Sequence, residues 1–400
     1  MVKQLLEEFL LFSPGPVDEV RIFFAPGRVN LMGEHLDYNG GFVLPAAINV
    51  GTWCLVRPRK SPGWRIKSRT ESLEIIGLSS DILPPKPERG FANYPLGVVA
   101  MLRQADIPVP DADCYFAGTI PQGAGLSSSA SLEVVTAYAL THLAGLSLDR
   151  TVLAKLAQQA ENDYVGVPCG LMDQLTVTLG KEQHALLLNM QDLTCRPVPV
   201  PMQADWALVI VDSRKPHQLI VSPYRKRREE CAAALALLHQ QQWPIRYLAD
   251  IRPDDLPRAL AALGDPVLER RVRHIVHEQE RTIHASEVLA QGDFTTFGRL
   301  MNASHESLRL DYEVTGPELD VLAMAAWSVP GCAGSRMTGA GFGGSTIAWV
   351  SRHAIDQFIA EVQAQYESRF GYAPAFLVAS LADGVHEVFM TPEEAKSCEY

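Results

Sequence analysis

Apolar residues in the second quarter of the chain recur at a helical interval. Leu153, Leu156, Ala157, Ala160 and Tyr164 stand at positions i, i+3, i+4, i+7 and i+11 of one face. The spacing predicts a helix over 149–164, with Glu161 one step off the buried face and turned toward an edge. A similar pattern predicts a helix over 127–144, and the β-branched, apolar runs at 42–56 and 207–212 predict strands. From about residue 217 the pattern becomes mostly helical, with helices over 224–241, 267–291 and 317–328. A strand at 345–350, a helix at 354–370 and a strand at 375–380 then give a β-α-β ending, and with it an α+β second half.

One stretch breaks these periodicities. Residues 25–45 pack Arg28, Glu34, His35 and Asp37 among Gly27, Gly33, Gly40, Gly41, Pro26 and Pro45. That composition predicts a ligand loop rather than a core strand. An arginine, two acids and a histidine on a pliable backbone can surround a polyhydroxylated or phosphorylated ligand with donors and acceptors.

Two further loops are rich in glycine. Residues 118–133 include Gly123, Ala124, Gly125 and Leu126, then Ser127, Ser128 and Ser129 at the start of the helix predicted over 127–144. A helix N-terminus offers free N–H groups and the positive end of its dipole to anionic oxygens, and three serine hydroxyls add donors or a metal ligand. The familiar Gly-x4-Gly-Lys-Ser/Thr phosphate loop is absent, since Gly180-Lys181 is followed by Glu182. Residues 339–344 formally match the dinucleotide pattern Gly-x-Gly-x-x-Gly, but a strand-like segment follows where that pattern needs a helix. A dehydrogenase is excluded on that ground.

Length and charge narrow the field. At 400 residues the chain is expected to form two domains sharing a cleft, divided softly near residue 205 into 1–205 and 206–400. No apolar run approaches the roughly 20 residues needed to cross a bilayer, so no membrane partner is expected. A net charge of −11 argues against nucleic acid, and the basic run Arg225 to Arg228 is followed at once by Glu229 and Glu230, as on a solvated helix face. The first fifteen residues carry Glu7 and Glu8 rather than a secretion signal. Seven scattered cysteines, an odd number without zinc spacing, predict reduced thiols in a cytoplasm.

The glycine-rich segments, in their order and separations, resemble the GHMP kinases. Within that superfamily residues 27–41, with Arg28-Val29-Asn30 and Asp37-Tyr38-Asn39, are similar to the galactokinase signature, a pairing absent from the mevalonate and homoserine branches. The likeness continues through Asn93-Tyr94, residues 121–131, residues 169–174, Tyr224 with Arg227-Arg228, and residues 337–344, and so spans nearly the whole chain. The resemblance implies an N-terminal domain like the second domain of ribosomal protein S5 and a ferredoxin-like α+β C-terminal domain, with ATP and a sugar in the cleft between. The implied reaction is ATP-dependent phosphorylation of galactose at the anomeric hydroxyl.

What the resemblance implies can be carried onto individual residues. Asp173 is the base, at the start of a helix expected over 172–179 whose dipole favours its ionised form, and Arg28 lies beside it and the γ-phosphate. Gly123 to Ser129 hold ATP. Mg²⁺ lies between Ser128 or Ser129 and Glu161. Glu34, His35, Asp37, Gly170 and Tyr224 contact the sugar, each carboxylate accepting two hydroxyl protons. A monomer is expected, a dimer being the alternative. Several positions depart from the common pattern: Leu36, Pro223, Phe91, Ala340 and Ser345. Leu36 and Pro223 adjoin sugar residues, which keeps a modified hexose such as N-acetylgalactosamine as the alternative substrate. A non-catalytic sugar sensor is the alternative from another class, and such relatives are damaged after the serines, where this chain is intact.

Overall fold

The computed structural model describes residues 1–70, 74–77, 84–201, 205–215 and 221–389, so Cys398 lies outside the described residues. Among these the strands form three sheets. The first has six strands in the order His386–Glu387, Arg21–Asn30, Pro45–Pro58, Ala112–Gly118, Trp64–Ser68, Glu74–Gly77. Alternation along its strands separates two faces. Phe23, Cys54, Val56 and Phe116 pack against helices Asn93–Gln104, Ser128–Leu143 and Arg150–Gln159. Ile22, Leu55 and Tyr115 face the other way, beneath Leu5, Leu6, Phe9 and Phe12 of helix Val2–Phe12. The helices Val2–Phe12, Asn93–Gln104, Leu256–Leu263 and Phe294–Ser307 have no counterpart in the elements predicted above.

The stretch read as a loop from residue 25 is a central strand as far as Asn30. Every residue of Arg21–Asn30 after the first is buried, and the strand pairs antiparallel with Pro45–Pro58. Pro26 is tolerated because the register slips between Pro26 and Gly27, where the ladder is already interrupted. A Cβ on Gly27 would stand 2.8 Å from the Leu126 carbonyl oxygen, so glycine here lets the first glycine loop lie directly on the strand. The predicted strand 42–56 is likewise split. Phe42–Val43 joins a three-stranded sheet with His184–Asn189 and Cys195–Pro199, while Pro45–Pro58 enters the six-stranded one.

The remaining sheet is antiparallel throughout, in the order Cys332–Thr338, Ser345–Ser351, Trp206–Asp212, Ala375–Ala379. The expected β-α-β ending is present as a split unit. Ser345–Ser351 and Ala375–Ala379 flank Trp206–Asp212 and run parallel to each other, joined by helix Ile355–Phe370. Helices Gly316–Ser328 and Ile355–Phe370 bury Val209, Val211 and Phe358 on one face. The opposite face packs Ile210, Ile347 and Trp349 against Phe297, Met301 and the three-stranded sheet. A separate core gathers helices Val221–Gln240, Leu256–Leu263 and Pro266–Ala290. The α+β architecture stands, but the division at residue 205 does not yield two unbroken halves. His386–Glu387 returns to pair with Phe23 and Phe24 in the first sheet.

Helix Phe294–Ser307 meets strand Cys332–Thr338 backbone to backbone. A Cβ on Gly298 would lie 2.0 Å from the Ala333 carbonyl oxygen, and one on Gly334 would lie 2.2 Å from that of Gly298. Gly298→Ala is therefore expected to force the pair apart and cost about 3 kcal/mol, an overpacking penalty. A urea midpoint unchanged from that of the parent chain would contradict this contact.

Candidate active site

A cavity of about 210 Å³ opens where the end of strand Arg21–Asn30, helix Met172–Leu179 and the second glycine loop converge. Its lining brings together Arg28, Glu34, His35, Asp37, Gly170, Asp173 and Tyr224, all expected at the site, and adds Val167, Pro168, Cys169, Met172, Gly339 and Ala340. Leu36 is fully buried in the helical core and does not line it, nor does Pro223. Gly170 is explained by proximity, since a Cβ there would meet Oδ2 of Asp37 at 1.8 Å.

At one end of the cavity the Arg28 guanidinium grips Asp173 with two bonds, Nε to Oδ1 and Nη2 to Oδ2, each 2.7 Å. This is the bidentate geometry in which arginine binds a carboxylate most specifically. The same side chain donates Nη1 to the Gly125 carbonyl at 2.8 Å, and its backbone N–H donates to that of Leu126. Ser127, in the left-handed conformation at φ 60°, stands just before helix Ser128–Leu143 and, instead of capping it with its side chain, donates its hydroxyl to Oδ2 of Asp173. The first glycine loop is thus tied to Arg28 and Asp173 by its carbonyls and by one serine. Gly123, Gly125 and Ser128 remain exposed, while Ala124 and Leu126 are buried as packing anchors.

Glu161 corrects the helical reading. The regular helix Arg150–Gln159 ends early, and Ala160–Val165 continues as a π-helix. The widened turn carries Glu161 inward, where it is 6% exposed rather than set at an edge. There it accepts hydrogen bonds from the Ser129 hydroxyl and, at 2.9 Å, from Nε2 of Gln174. Gln174 also donates to Glu133, a buried acid whose pKa burial and the Glu161 charge push well up. Neither Gln174 nor Glu133 is among the site residues expected from sequence, although Gln174 adjoins Asp173. Ser128 is exposed and makes no hydrogen bond to Glu161 among the described residues.

The opposite end is lined by buried polar groups. Glu34 accepts from Asn30 Nδ2 at 2.7 Å and from the Gly339 N–H at 2.8 Å, with Arg336 at 3.5 Å. Burial raises its pKa against the pull of Arg336. His35 sits at φ 64°, an uncommon conformation for a non-glycine residue. It stacks on Tyr312 at 4.6 Å and hydrogen-bonds the Tyr38 hydroxyl through Nδ1 at 2.9 Å. Burial and the neighbouring His274 hold its pKa well below the usual value, so the ring is neutral, and its buried Nε2 has no partner among the described residues. Arg336 and Tyr312 carry no signal in the sequence because their roles depend on contacts across 274 or more positions, as with Glu34, His35 and Tyr38. The basic run is also not wholly solvated, since Arg227 is buried and donates to the carbonyls of Tyr312 and Glu313.

The second glycine loop closes the site from the other sheet. Ser345 donates its hydroxyl to the Ala124 carbonyl at 2.7 Å, and the Asn30 N–H donates to the Thr338 hydroxyl at 2.9 Å. The arrangement offers a carboxylate clamped by arginine, an exposed glycine loop before a helix N-terminus, a serine–glutamate oxygen pair and a polar cavity. Together these suit transfer of a phosphoryl group to a hydroxyl.

The chain matches the family model for the galactokinase galactose-binding signature over residues 7–58, that for the GHMP kinases N terminal domain over 93–181, and that for the GHMP kinases C terminal over 285–368. It is 45% identical to a galactokinase of Halalkalibacterium halodurans over 94% of this chain and 95% of the relative, and 43% identical to one of Exiguobacterium sibiricum over 97% and 99%. Its structure superposes on Lactococcus lactis galactokinase complexed with galactose at a TM-score of 0.93 and 38% identity, covering 97% and 100% of the two chains. Mevalonate kinase, at 18% identity and a TM-score of 0.66, shares the fold.

Asp37 gives the site a testable electrostatic signature. Burial, and then the charges of Asp173 and Glu34, push its pKa up to about 7 from an ordinary 3.8. The folded chain thus holds this proton more tightly than the unfolded chain. The resulting stabilisation is complete below about pH 4 and is lost as pH rises through about 7. Asp37→Asn, which cannot ionise, should therefore gain about 1–3 kcal/mol on the parent chain between pH 5 and pH 8, each pKa unit being about 1.4 kcal/mol. Equal melting differences at the two pH values would exclude the shift.

Proposed function

The chain belongs to the galactokinase family of the GHMP kinases, and from that premise we propose that it transfers the γ-phosphoryl group of ATP to the anomeric hydroxyl of galactose, giving galactose 1-phosphate and ADP. The observation that carries the mechanism is the bidentate Arg28–Asp173 pair at the junction of the glycine loop and the polar cavity. In this reading Asp173 accepts the proton of the attacking hydroxyl. Arg28 and the Ser127 hydroxyl fix both carboxylate oxygens, and the guanidinium lies ready to stabilise charge on the transferring group. Glu34, His35 through its unpartnered Nε2, Asp37, Gly170 and Tyr224 line the sugar side. Their acceptors suit a ligand made of hydroxyls.

The exposed glycines of residues 123–125 and the N-terminus of helix Ser128–Leu143 suit the ATP phosphates. Among the described residues no cluster of three histidine, cysteine or acidic side chains is arranged for a metal. The Ser129 hydroxyl and Glu161 carboxylate, already in contact, fit Mg²⁺, which takes few protein oxygens beside those of phosphate. These two residues would hold it, and the ion would neutralise charge on the phosphate oxygens. Leu36 does not line the cavity, so its departure from the common pattern does not itself point to a 2-acetamido sugar. A monomeric enzyme in a reducing cytoplasm belongs to the same reading: the six described cysteines are unpaired, and no described helix is long and apolar enough to cross a membrane.

ADP release with ATP and Mg²⁺ against galactose, glucose and N-acetylgalactosamine tests the substrate, with strong turnover expected on galactose. Silence on all three sugars, with galactose still bound, would make the chain a sensor. For the mechanism, Asp173→Asn should lower turnover about 10³-fold, the usual range for a lost general base, while calorimetry shows galactose binding nearly intact. Near-normal turnover in that variant would remove Asp173 from the reaction.

A further inference from the structure

A second cavity, of about 510 Å³, lies behind the sugar pocket and shares Pro168 with it. Three arginines line it: Arg225 and Arg228, one turn apart on helix Val221–Gln240, and Arg246 across the opening. Their surroundings contrast with those of nearby arginines. Arg227 and Arg271 are saturated by Glu230, Glu313 and backbone carbonyls. The guanidinium groups of Arg225, Arg228 and Arg246 have no hydrogen bond or ion pair among the described residues. Arg228 and Arg246 lie over the rings of Tyr38 and Tyr247, at 5.4 and 5.1 Å. Glu229 is the sole acid in the lining.

In a chain of net charge −11, three arginines lining one cavity make a local positive potential, which Glu229 in the lining and Asp37 near Arg228 offset only in part. Arginine's fork of donors matches phosphate oxygens, and a phosphomonoester carries close to two negative charges at neutral pH. The cavity is larger than the sugar pocket, so it has room for more than the anion. Tyr38 and Tyr247 also line the cavity, beneath the guanidinium groups of Arg228 and Arg246. We propose that this cavity binds a phosphomonoester of hexose phosphate size, held by Arg225, Arg228 and Arg246. The site is placed to influence catalysis. Tyr38 hydrogen-bonds His35, and Arg228 favours the ionised form of Asp37. The binding claim does not depend on the phosphoryl-transfer reading, because it is tested without nucleotide.

Calorimetry on nucleotide-free enzyme already saturated with galactose isolates the second cavity. Galactose 1-phosphate, glucose 6-phosphate and inorganic phosphate are titrated separately, the first representing the product of the reaction, the second a foreign hexose phosphate and the third the bare anion. Uptake of about one equivalent of at least one ester is expected, with inorganic phosphate at least tenfold weaker. Arg225→Ala and Arg246→Ala should each weaken the ester at least tenfold while leaving turnover without added phosphate unchanged. No uptake of either ester, uptake indifferent to both variants, or inorganic phosphate binding as tightly as the esters would each overturn the proposal.

Discussion

The site is organised around one interaction, the two-pronged bond between Arg28 and Asp173. Arg28 is 6% exposed, and a guanidinium at that depth is tolerated only when its donors are matched. Asp173 takes two of them and the Gly125 carbonyl takes a third. The central strand, the glycine loop and the helix Met172–Leu179 are thereby locked into one arrangement. Removing either partner would leave a charge with no answer, so the pair fixes geometry as much as it lends chemistry.

The second glycine loop and the strand before it complete the cavity from the other side of the molecule. Arg336 reaches the Asn30 carbonyl and Glu34, Thr338 bonds both the N–H and the carbonyl of Asn30, the Gly339 N–H bonds Glu34, and Ser345 bonds Ala124. These contacts join residues more than two hundred positions apart. They tie the cavity wall together from both sides through backbone groups and polar side chains, and they leave several buried polar atoms without a protein partner, Nε2 of His35 in the cavity lining among them.

Two π-helical segments have the same effect at separate places. Ala160–Val165 turns Glu161 into the interior beside Ser129, and Leu308–Tyr312 brings Tyr312 under His35 and Tyr38. In each case the extra residue in the turn rotates the following side chains away from the face that a 3.6-residue repeat assigns them. This is the physical reason that Glu161 lies inside when its spacing from Leu153, Leu156 and Ala160 sets it at an edge.

The sequence alone determined the chemical inventory: the arginine, acids and histidine of 28–37, the glycine–serine loop before a helix, Asp173 after a breaker-rich loop, and the helices and strands whose periodicity is regular. These are local properties, written in neighbouring residues, and the resemblance to galactokinases rests on the same short segments. Only the tertiary structure decided that Pro26 and Gly27 belong to a central strand, because that depends on a register slip against Pro45–Pro58. It also decided which serine meets Glu161, that Leu36 lies in a core and not in the cavity, and that the last strand returns to the first sheet. Each of these turns on a partner far away in the chain, and neither composition nor periodicity carries information about distant partners.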